Sequence, residues 1–352
     1  MKRICFFLFV ISLTGTGVSC AEETDNPIVD ETTTLPDSEI YDNAVMSGTV
    51  NLWERGNIPT VTRNVNNSDG PDFIPNMEVF TVGEDTAPKG AVIICPGGAF
   101  MFRSMQNEGY DIADMLVPMG YHCFIVNYRI RPYIMKESAT DLQRAIRYVK
   151  AHADEYRINP DNIALVGFSA GGILNGEVLL NWRDLTNGTA LDNSYVPDAL
   201  DKVPVSACAV GMIYSFYGRL SVSMNNVETL RAANLPPAFY CWGTRDGFAG
   251  QFTQNSDAVE QAGYRIERKI LQNYPHGYGS GGNSAVWGND FDRFLMSIMS
   301  GNSAIDDVSV NVESDAVEAM YDINGCQVSP ETAKNGIYVV KRTTGTSKIL
   351  LN

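Results

Sequence analysis

The amino-acid sequence predicts an α/β fold in which a mostly parallel central sheet is covered by helices on both faces. Three apolar runs that are too short for helices occur at residues 91–95, 122–128 and 163–166. Strands with apolar side chains on both sides are typical of a parallel sheet buried on both faces. Between the second and third runs, Leu142, Ile146 and Val149 recur at helical spacing within residues 141–156. This order of strand, helix and strand indicates right-handed crossovers in an open sheet.

The same pattern continues toward the carboxyl end of this region. Further strands are predicted at residues 207–215, 238–242 and 265–271. A closing helix is predicted from an apolar face formed by Trp287, Phe291, Phe294, Leu295 and Ile298. Four cysteines fall in or beside these strand-like runs without the spacing of a disulfide framework, which predicts small buried thiols: Cys95, Cys123, Cys208 and Cys241.

Composition excludes several classes of protein. Of the 352 residues 44% are hydrophobic and 19% charged, which argues against global disorder. Lys and Arg number 26 and Asp and Glu 41, giving a formal net charge of −15. Such a charge repels phosphate backbones, so we expect no nucleic-acid partner. Three histidines and the lack of an H-E-x-x-H or paired C-x-x-C pattern predict neither a metal nor another cofactor.

The amino-terminal segment predicts export. A basic start, Met1-Lys2-Arg3, precedes a short apolar run at residues 4–13, and residues 1–20 are interpreted as a signal peptide. Gly17-Val18-Ser19-Cys20 resembles a bacterial lipoprotein cleavage box, so a lipid anchor at Cys20 and simple cleavage near Ala21 stay open as alternatives. Residues 21–46 are interpreted as an acidic flexible linker, because residues 22–42 contain eight acids and no Lys or Arg. The expected location is secreted or at the cell surface or outer membrane of a Gram-negative bacterium, or the periplasm.

Residues 303–352 predict a small, all-β carboxyl-terminal domain. Residues 321–325 (Tyr-Asp-Ile-Asn-Gly) suit a strand followed by a turn, and residues 336–341 (Gly-Ile-Tyr-Val-Val-Lys) suit a second strand. This pair resembles the carboxyl-terminal sorting domains of exported Bacteroidetes proteins, which implies contact with a secretion machinery. A β appendage without sorting function is the alternative.

The strongest chemical signal is a serine between small residues. Gly167-Phe168-Ser169-Ala170-Gly171 directly follows the strand at 163–166 and begins an apolar, helix-like segment. A sharp strand-to-helix turn needs small neighbours and lifts the hydroxyl above the edge of the sheet. Ser169 is therefore the candidate nucleophile of a hydrolase.

A serine hydroxyl needs a base and an orienting acid, which in this type of fold follow it in the chain as Asp and then His. His276 is the only histidine after Ser169, since His122 and His152 precede it. Asp246 follows the strand at 238–242 and is the candidate acid; Asp257 and Glu260 are the rivals.

Backbone amides near Ser169 are candidates for an oxyanion hole. The N–H of Ala170 follows the nucleophile, and the N–H of Gly98 or Ala99 follows the strand at 91–95. Phe100 is a candidate substrate contact, and residues 182–203 are expected to border the pocket. A G-x-G-x-x-G match at residues 277–282 lacks the βαβ context of a dinucleotide site and is set aside.

Together these motifs resemble the α/β-hydrolase superfamily, and within it the bacterial carbohydrate esterases that include acetyl xylan and feruloyl esterases. The matching stretches are residues 52–53, 95–100, 108–109, 127–129, 141–147, 167–172, 244–246 and 276–279. The resemblance assigns the nucleophile to Ser169, the acid to Asp246 and the base to His276, in a catalytic domain spanning residues 47–302. It departs from the family pattern at Ala99 and at Gly247.

The resemblance implies a secreted or surface-held serine esterase without cofactor. Its expected partner is an acylated polysaccharide or oligosaccharide, such as xylan, from which acetyl or feruloyl groups are removed through an acyl-serine. A serine peptidase-like hydrolase on the same fold is one alternative. A non-catalytic glycan-binding surface protein is another.

Overall fold

The computed structural model describes residues 44–63, 69–70, 72–182, 188–280, 286–302, 317–321, 327–329, 336–342 and 345–351. The signal peptide predicted at residues 1–20, with Cys20, and nearly all of the linker predicted at residues 21–46 lie outside the described residues. No helix within those ranges has the length and apolar character that crossing a membrane requires.

Within the described residues, eight strands form the central sheet. They are β1 (Met46–Asn51), β2 (Asn76–Phe80), β3 (Gly90–Cys95), β4 (Tyr121–Asn127), β5 (Ile163–Phe168), β6 (Ala209–Ile213), β9 (Ala238–Gly243) and β10 (Ile266–Leu271). A two-stranded hairpin outside this sheet consists of β7 (Gly218–Arg219) and β8 (Val222–Ser223). The order in the sheet is β1-β2-β4-β3-β5-β6-β9-β10.

The sheet is parallel from β4 to β10, and this confirms the predicted fold class. Every residue of β3, β5, β6 and β9 is buried, as expected for strands covered on both faces. The antiparallel strands β1 and β2 at one edge were not predicted. β1 carries mostly small and polar residues with exposed or half-exposed side chains, so it lacks an apolar signal.

Helices pack on both sides of this sheet. They are α1 (Asp111–Leu116), α2 (Met135–Ala151), α3 (Ala170–Glu177), α4 (Val227–Ala232), α5 (Ala249–Gln261) and α6 (Gly288–Asn302). Short π-helical turns cover Gln106–Tyr110 and Val178–Trp182, and 3₁₀ turns cover Gly188–Ala190 and Ala199–Lys202. Helix α2 begins six residues before the predicted start at Asp141, because its first turns bury polar side chains instead of apolar ones.

The polar side chains of α2 form a buried network with the end of β4. Arg129 is almost fully buried and donates from Nε and Nη2 to the two carboxylate oxygens of Asp141 at 2.9 and 2.8 Å. It also donates to the carbonyl oxygens of Pro59 and Glu137. Asp141 accepts a further hydrogen bond from Trp53 Nε1. This network joins α2 to the sheet and to the segment that follows β1.

A three-stranded antiparallel sheet lies near the carboxyl terminus. Its strands are β11 (Val317–Tyr321), β12 (Gly336–Arg342) and β13 (Gly345–Leu351). Strand β12 coincides with the predicted strand at 336–341, whereas β13 was not predicted. Residues 322–325 of the predicted strand and turn lie outside the described residues, and a sorting function stays a prediction.

We expect Asp141→Asn to destabilise the fold strongly. The substitution keeps the shape of the side chain but leaves the buried Arg129 charge with only the more distant Glu137 carboxylate, 4.0 Å away. Loss of one partner of a buried ion pair typically costs about 3–5 kcal/mol. Urea unfolding of the variant and the wild type measures the loss. Glu228→Gln, in an exposed pair with Arg231, is the matched control and leaves the unfolding midpoint nearly unchanged. A wild-type midpoint for Asp141→Asn would contradict this account.

Candidate active site

Ser169 occupies the sharp turn between β5 and α3. Its backbone has φ 48° and ψ −116°, a region that non-glycine residues adopt at a cost. The backbone is held by hydrogen bonds on both of its polar groups. The N–H donates to Ile213 O at 3.1 Å, and the carbonyl accepts from Ser215 Oγ at 2.7 Å and from the N–H of Ile173. These partners fix the direction of the serine side chain.

Two glycines allow α3 to pack directly against the sheet. A Cβ added at Gly171 would lie 1.9 Å from the carbonyl oxygen of Cys95, and one at Gly172 would lie 2.5 Å from the side chain of Ser215. Real Cβ atoms do not approach other atoms so closely. The small residues that the sequence places after Ser169 are therefore a steric requirement of the turn.

The structure brings Ser169, His276 and Asp246 into one hydrogen-bonded chain. His276 Nε2 lies 2.9 Å from Ser169 Oγ, and His276 Nδ1 lies 2.7 Å from Asp246 Oδ2. This network assigns the ring proton to Nδ1, which donates to the carboxylate, and leaves Nε2 to accept from the serine. The Asp246 side chain is fully buried, and its other oxygen accepts from the N–H of Phe248 at 2.8 Å.

The rival candidates lie elsewhere. Asp257 and Glu260 on α5 both accept hydrogen bonds from Arg268, at 3.0 and 2.9 Å. His122 is buried in β4 and accepts from the N–H of Val82, and His152 stacks on Tyr148 just after α2. The structure brings none of the four to Ser169.

The loop after β3 lies against Ser169. A Cβ added at Gly97 would lie 3.0 Å from Ser169 Cβ, and Gly98 has φ 130°. No hydrogen bond between described residues uses the N–H groups of Gly98, Ala99 or Ala170. These are the three amides that the sequence predicts for the oxyanion hole, and Ala170 also begins α3, where the helix dipole favours negative charge.

Phe100 does not take the predicted position. It is buried, and its ring packs against Tyr128 at a centroid distance of 6.2 Å. The next two side chains of this loop, Met101 and Phe102, are instead 59% and 58% exposed. The sequence does not distinguish the buried residue from the two exposed ones, because Phe100, Met101 and Phe102 are all apolar.

A cavity of about 40 Å³ opens beside Ser169 and His276. Its apolar lining comes from residues after β5, after β6 and around the start of α5: Ile173, Phe216, Leu220, Phe248 and Phe252. The expectation that residues 182–203 border this cavity is wrong for their described part. Asp198 instead accepts a hydrogen bond from the buried Arg144 of α2 at 2.7 Å, and Val196 bonds to Asn57.

Glu108 and Tyr214 were assigned no role from the sequence but lie at this site. Glu108 is 5% exposed and accepts from the N–H of Gly97 at 2.7 Å and from Tyr214 Oη at 2.6 Å. The Tyr214 ring lies 4.9 Å from the His276 ring. Burial raises the pKa of Glu108, and the hydrogen bonds from Tyr214 and Gly97 and the nearby His276 oppose this rise.

The BD-FAE family model matches residues 77–233. An acetylxylan esterase of Xylanibacter ruminicola is 35% identical over 92 residues, which are 26% of this chain and 19% of that protein. A probable carboxylic ester hydrolase of Mycobacterium tuberculosis is 36% identical over 90 residues, which are 25% of this chain and 21% of that protein. The matches thus span about a fifth of the length of these curated relatives.

Among solved structures, an acetyl ester-xyloside bifunctional hydrolase from Caldicellulosiruptor lactoaceticus has a TM-score of 0.56 at 20% identity. The match covers 72% of this chain and 97% of that chain. At this identity it shows the shared α/β-hydrolase fold. These sequence relatives agree with the predicted resemblance to carbohydrate esterases.

We expect Gly171→Ala to destabilise the protein. The added Cβ would overlap the carbonyl oxygen of Cys95 and push α3 away from β3, and such overpacking typically costs about 1–3 kcal/mol. Thermal unfolding should then begin several degrees below the wild type. Gly250→Ala is the matched control, because Gly250 lies in α5 with nothing within 4 Å of its added Cβ. Equal unfolding temperatures for Gly171→Ala and the wild type would refute the steric argument.

Proposed function

Because the chain has the α/β-hydrolase fold and resembles carbohydrate esterases, we propose that it is a serine carboxylic-ester hydrolase that removes acetyl groups from a plant cell-wall polysaccharide such as xylan. The observation that carries this proposal is the chain of hydrogen bonds from Ser169 through His276 to Asp246.

In the first half of the reaction, His276 Nε2 takes the proton of Ser169 Oγ while that oxygen attacks the ester carbonyl carbon. Asp246 keeps the Nδ1 proton on the far side of the ring and stabilises the imidazolium that forms. The negatively charged carbonyl oxygen accepts hydrogen bonds from the N–H groups of Ala170 and of Gly98 or Ala99. The imidazolium then gives its proton to the departing sugar oxygen, which leaves an acyl-serine.

In the second half, His276 takes a proton from a water molecule that attacks the acyl-serine carbonyl. The same amides stabilise the second oxyanion. Collapse of this intermediate releases the carboxylic acid, and the proton on His276 returns to Ser169 Oγ.

The size of the cavity beside Ser169 favours a small acyl group. Its volume of about 40 Å³ is small beside the roughly 300–1,000 Å³ of a typical ligand pocket. Such a small cavity suits an acetyl methyl group better than the aromatic ring of a feruloyl group. The apolar side chains that line it, Phe216 and Phe252 among them, suit a methyl group.

The surroundings of the cavity suit a carbohydrate chain. Met101 and Phe102 lie exposed on the loop after β3, and Leu220 and Phe248 are partly exposed at the cavity. Exposed apolar and aromatic side chains around a catalytic serine offer flat surfaces on which sugar rings can pack. The export predicted from residues 1–20 agrees with a polymer substrate outside the cytoplasm.

Release of acetate and of ferulate from native acetylated and feruloylated arabinoxylan tests the substrate. We expect more acetate release than ferulate release, because the small cavity suits the acetyl group better. Hydrolysis of p-nitrophenyl acetate beside a chromogenic dipeptide tests the reaction class. Equal release of ferulate would contradict the acyl specificity, and amide turnover without ester turnover would contradict the esterase assignment.

We expect Ser169→Ala and His276→Ala each to lower kcat by about 10⁴-fold or more, because the two groups act as a unit. The double variant should lose little more than either single variant. Hydrolysis of p-nitrophenyl acetate measures the effect, and circular dichroism verifies the fold of each variant. Losses that multiply fully in the double variant would argue against a shared proton transfer.

A further inference from the structure

A chain of hydrogen bonds connects the two loops that surround Ser169. The N–H of Gly97, in the oxyanion loop, donates to Glu108 Oε2 at 2.7 Å. Tyr214 Oη donates to Glu108 Oε1 at 2.6 Å, and the N–H of Gly279 donates to Tyr214 Oη at 3.1 Å. Gly279 lies three residues after His276 in the same turn. One buried carboxyl group is therefore linked to both the oxyanion loop and the histidine loop.

The donors around Glu108 fit its ionised form. The oxygen of Tyr214 already accepts from Gly279, so its hydroxyl proton is directed to Glu108. The other carboxyl oxygen accepts from a backbone N–H that can only donate. A protonated carboxyl would accept these hydrogen bonds more weakly and would need an acceptor for its own proton. The carboxylate satisfies both without conflict.

Tyr214 and the histidine loop hold Glu108 close to His276. Tyr214, directly after β6, has its N–H bonded to Cys241 O, and its ring lies 4.9 Å from the His276 ring. A Cβ added at Gly279 would lie 2.5 Å from the carbonyl oxygen of Asn107, in the turn that carries Glu108. The histidine loop thus packs on the Gln106–Tyr110 turn itself.

Several titratable groups surround His276 and Glu108, and their charge states decide which of them act on His276. Burial raises the pKa of the phenols of Tyr214, Tyr278 and Tyr128, so these groups are neutral. The thiols of Cys241 and Cys95 are neutral for the same reason, with the pKa of Cys241 raised to about 12. Arg103 donates to the backbone carbonyl of Tyr128 and pairs with Asp69. Among the described groups facing His276, this leaves the carboxyl groups of Asp246 and Glu108. Burial also raises the pKa of Glu108, but the hydrogen bonds that it accepts from Tyr214 and Gly97 favour its ionised form.

We propose that Glu108 is a positioning residue, which holds the oxyanion loop against the histidine loop and whose negative charge favours the imidazolium of His276 during ester cleavage. This inference rests on the proposed function. It adds to the triad a second carboxylate, which acts through Tyr214 and Gly97 and does not touch the substrate.

Glu108→Gln tests the proposal, because it removes the charge and keeps the size of the side chain. We expect kcat for p-nitrophenyl acetate to fall by about 10- to 100-fold with KM nearly unchanged, as for a small displacement of catalytic groups. The acid limb of the kcat/KM profile should move to lower pH by roughly half a unit, because one charge that favours protonated His276 is gone.

Glu78→Gln is the matched control. Glu78 accepts a hydrogen bond from Tyr110 Oη at 3.2 Å, so it forms the same kind of Tyr–Glu pair outside the active site. We expect its kcat and pH profile to equal those of the wild type. A Glu108→Gln variant with wild-type kcat and acid limb, or equal losses in both variants, would overturn the proposal.

A measurement that does not depend on turnover distinguishes a failure of this inference from a failure of the proposed function. Proton NMR follows the titration of His276 in the wild type and in Glu108→Gln, with only two other histidines to assign. A midpoint at lower pH in Glu108→Gln supports the charge effect even if acetyl esters are not the substrate. An unchanged midpoint overturns it even if the wild type is an active esterase.

If Glu108→Gln does not fold, Tyr214→Phe serves as the second variant. It keeps the aromatic ring against His276 and removes only the hydroxyl that joins Glu108 to Gly279. We expect kcat to fall by about tenfold or more with little change in KM. A wild-type kcat for this variant would overturn the positioning role.

Discussion

The site depends on the backbone of Ser169, which keeps a conformation that costs of the order of 1–3 kcal/mol. Packing on both sides imposes it. Strand β5 is buried between β3 and β6, and α3 lies so close to the end of β3 that no side chain fits at Gly171. With strand and helix both fixed, the turn between them has no room to relax. The same constraint aims the hydroxyl at His276 and presents the N–H of Ala170 at the beginning of the helix.

The parallel sheet explains why residues far apart in the chain meet here. The carboxyl ends of parallel strands share one edge of the sheet, and binding sites of open α/β sheets form there. The oxyanion loop follows β3, the nucleophile follows β5, Asp246 follows β9 and His276 follows β10. Tyr214 follows β6 and reaches Glu108, so the loops at this edge are joined to each other as well as to the sheet. A misplacement of any one loop is therefore transmitted to its neighbours.

The sequence could predict what local patterns encode. Strands buried on both faces leave uninterrupted apolar runs, so β3, β5 and β9 were predicted. The turn at Ser169 leaves a motif of small residues, which led to the three side chains that the structure joins by hydrogen bonds. Strand β1 has half-exposed polar side chains and was missed. Glu108 and Tyr214 are 106 residues apart and pair only through the tertiary fold. Residues 188–203 looked like a polar pocket border, but Asp198 packs on Arg144, whose burial no local pattern reveals.

In the proposed mechanism, His276 makes the hydroxyl of Ser169 a nucleophile by taking its proton. The most direct measurement is brief reaction of the protein with a fluorophosphonate, followed by intact-mass and peptide mass spectrometry. We expect a single adduct, which is located on Ser169 and forms much more slowly when His276 is replaced by alanine. An adduct on another residue, or labelling of Ser169 at the same rate without His276, would contradict it.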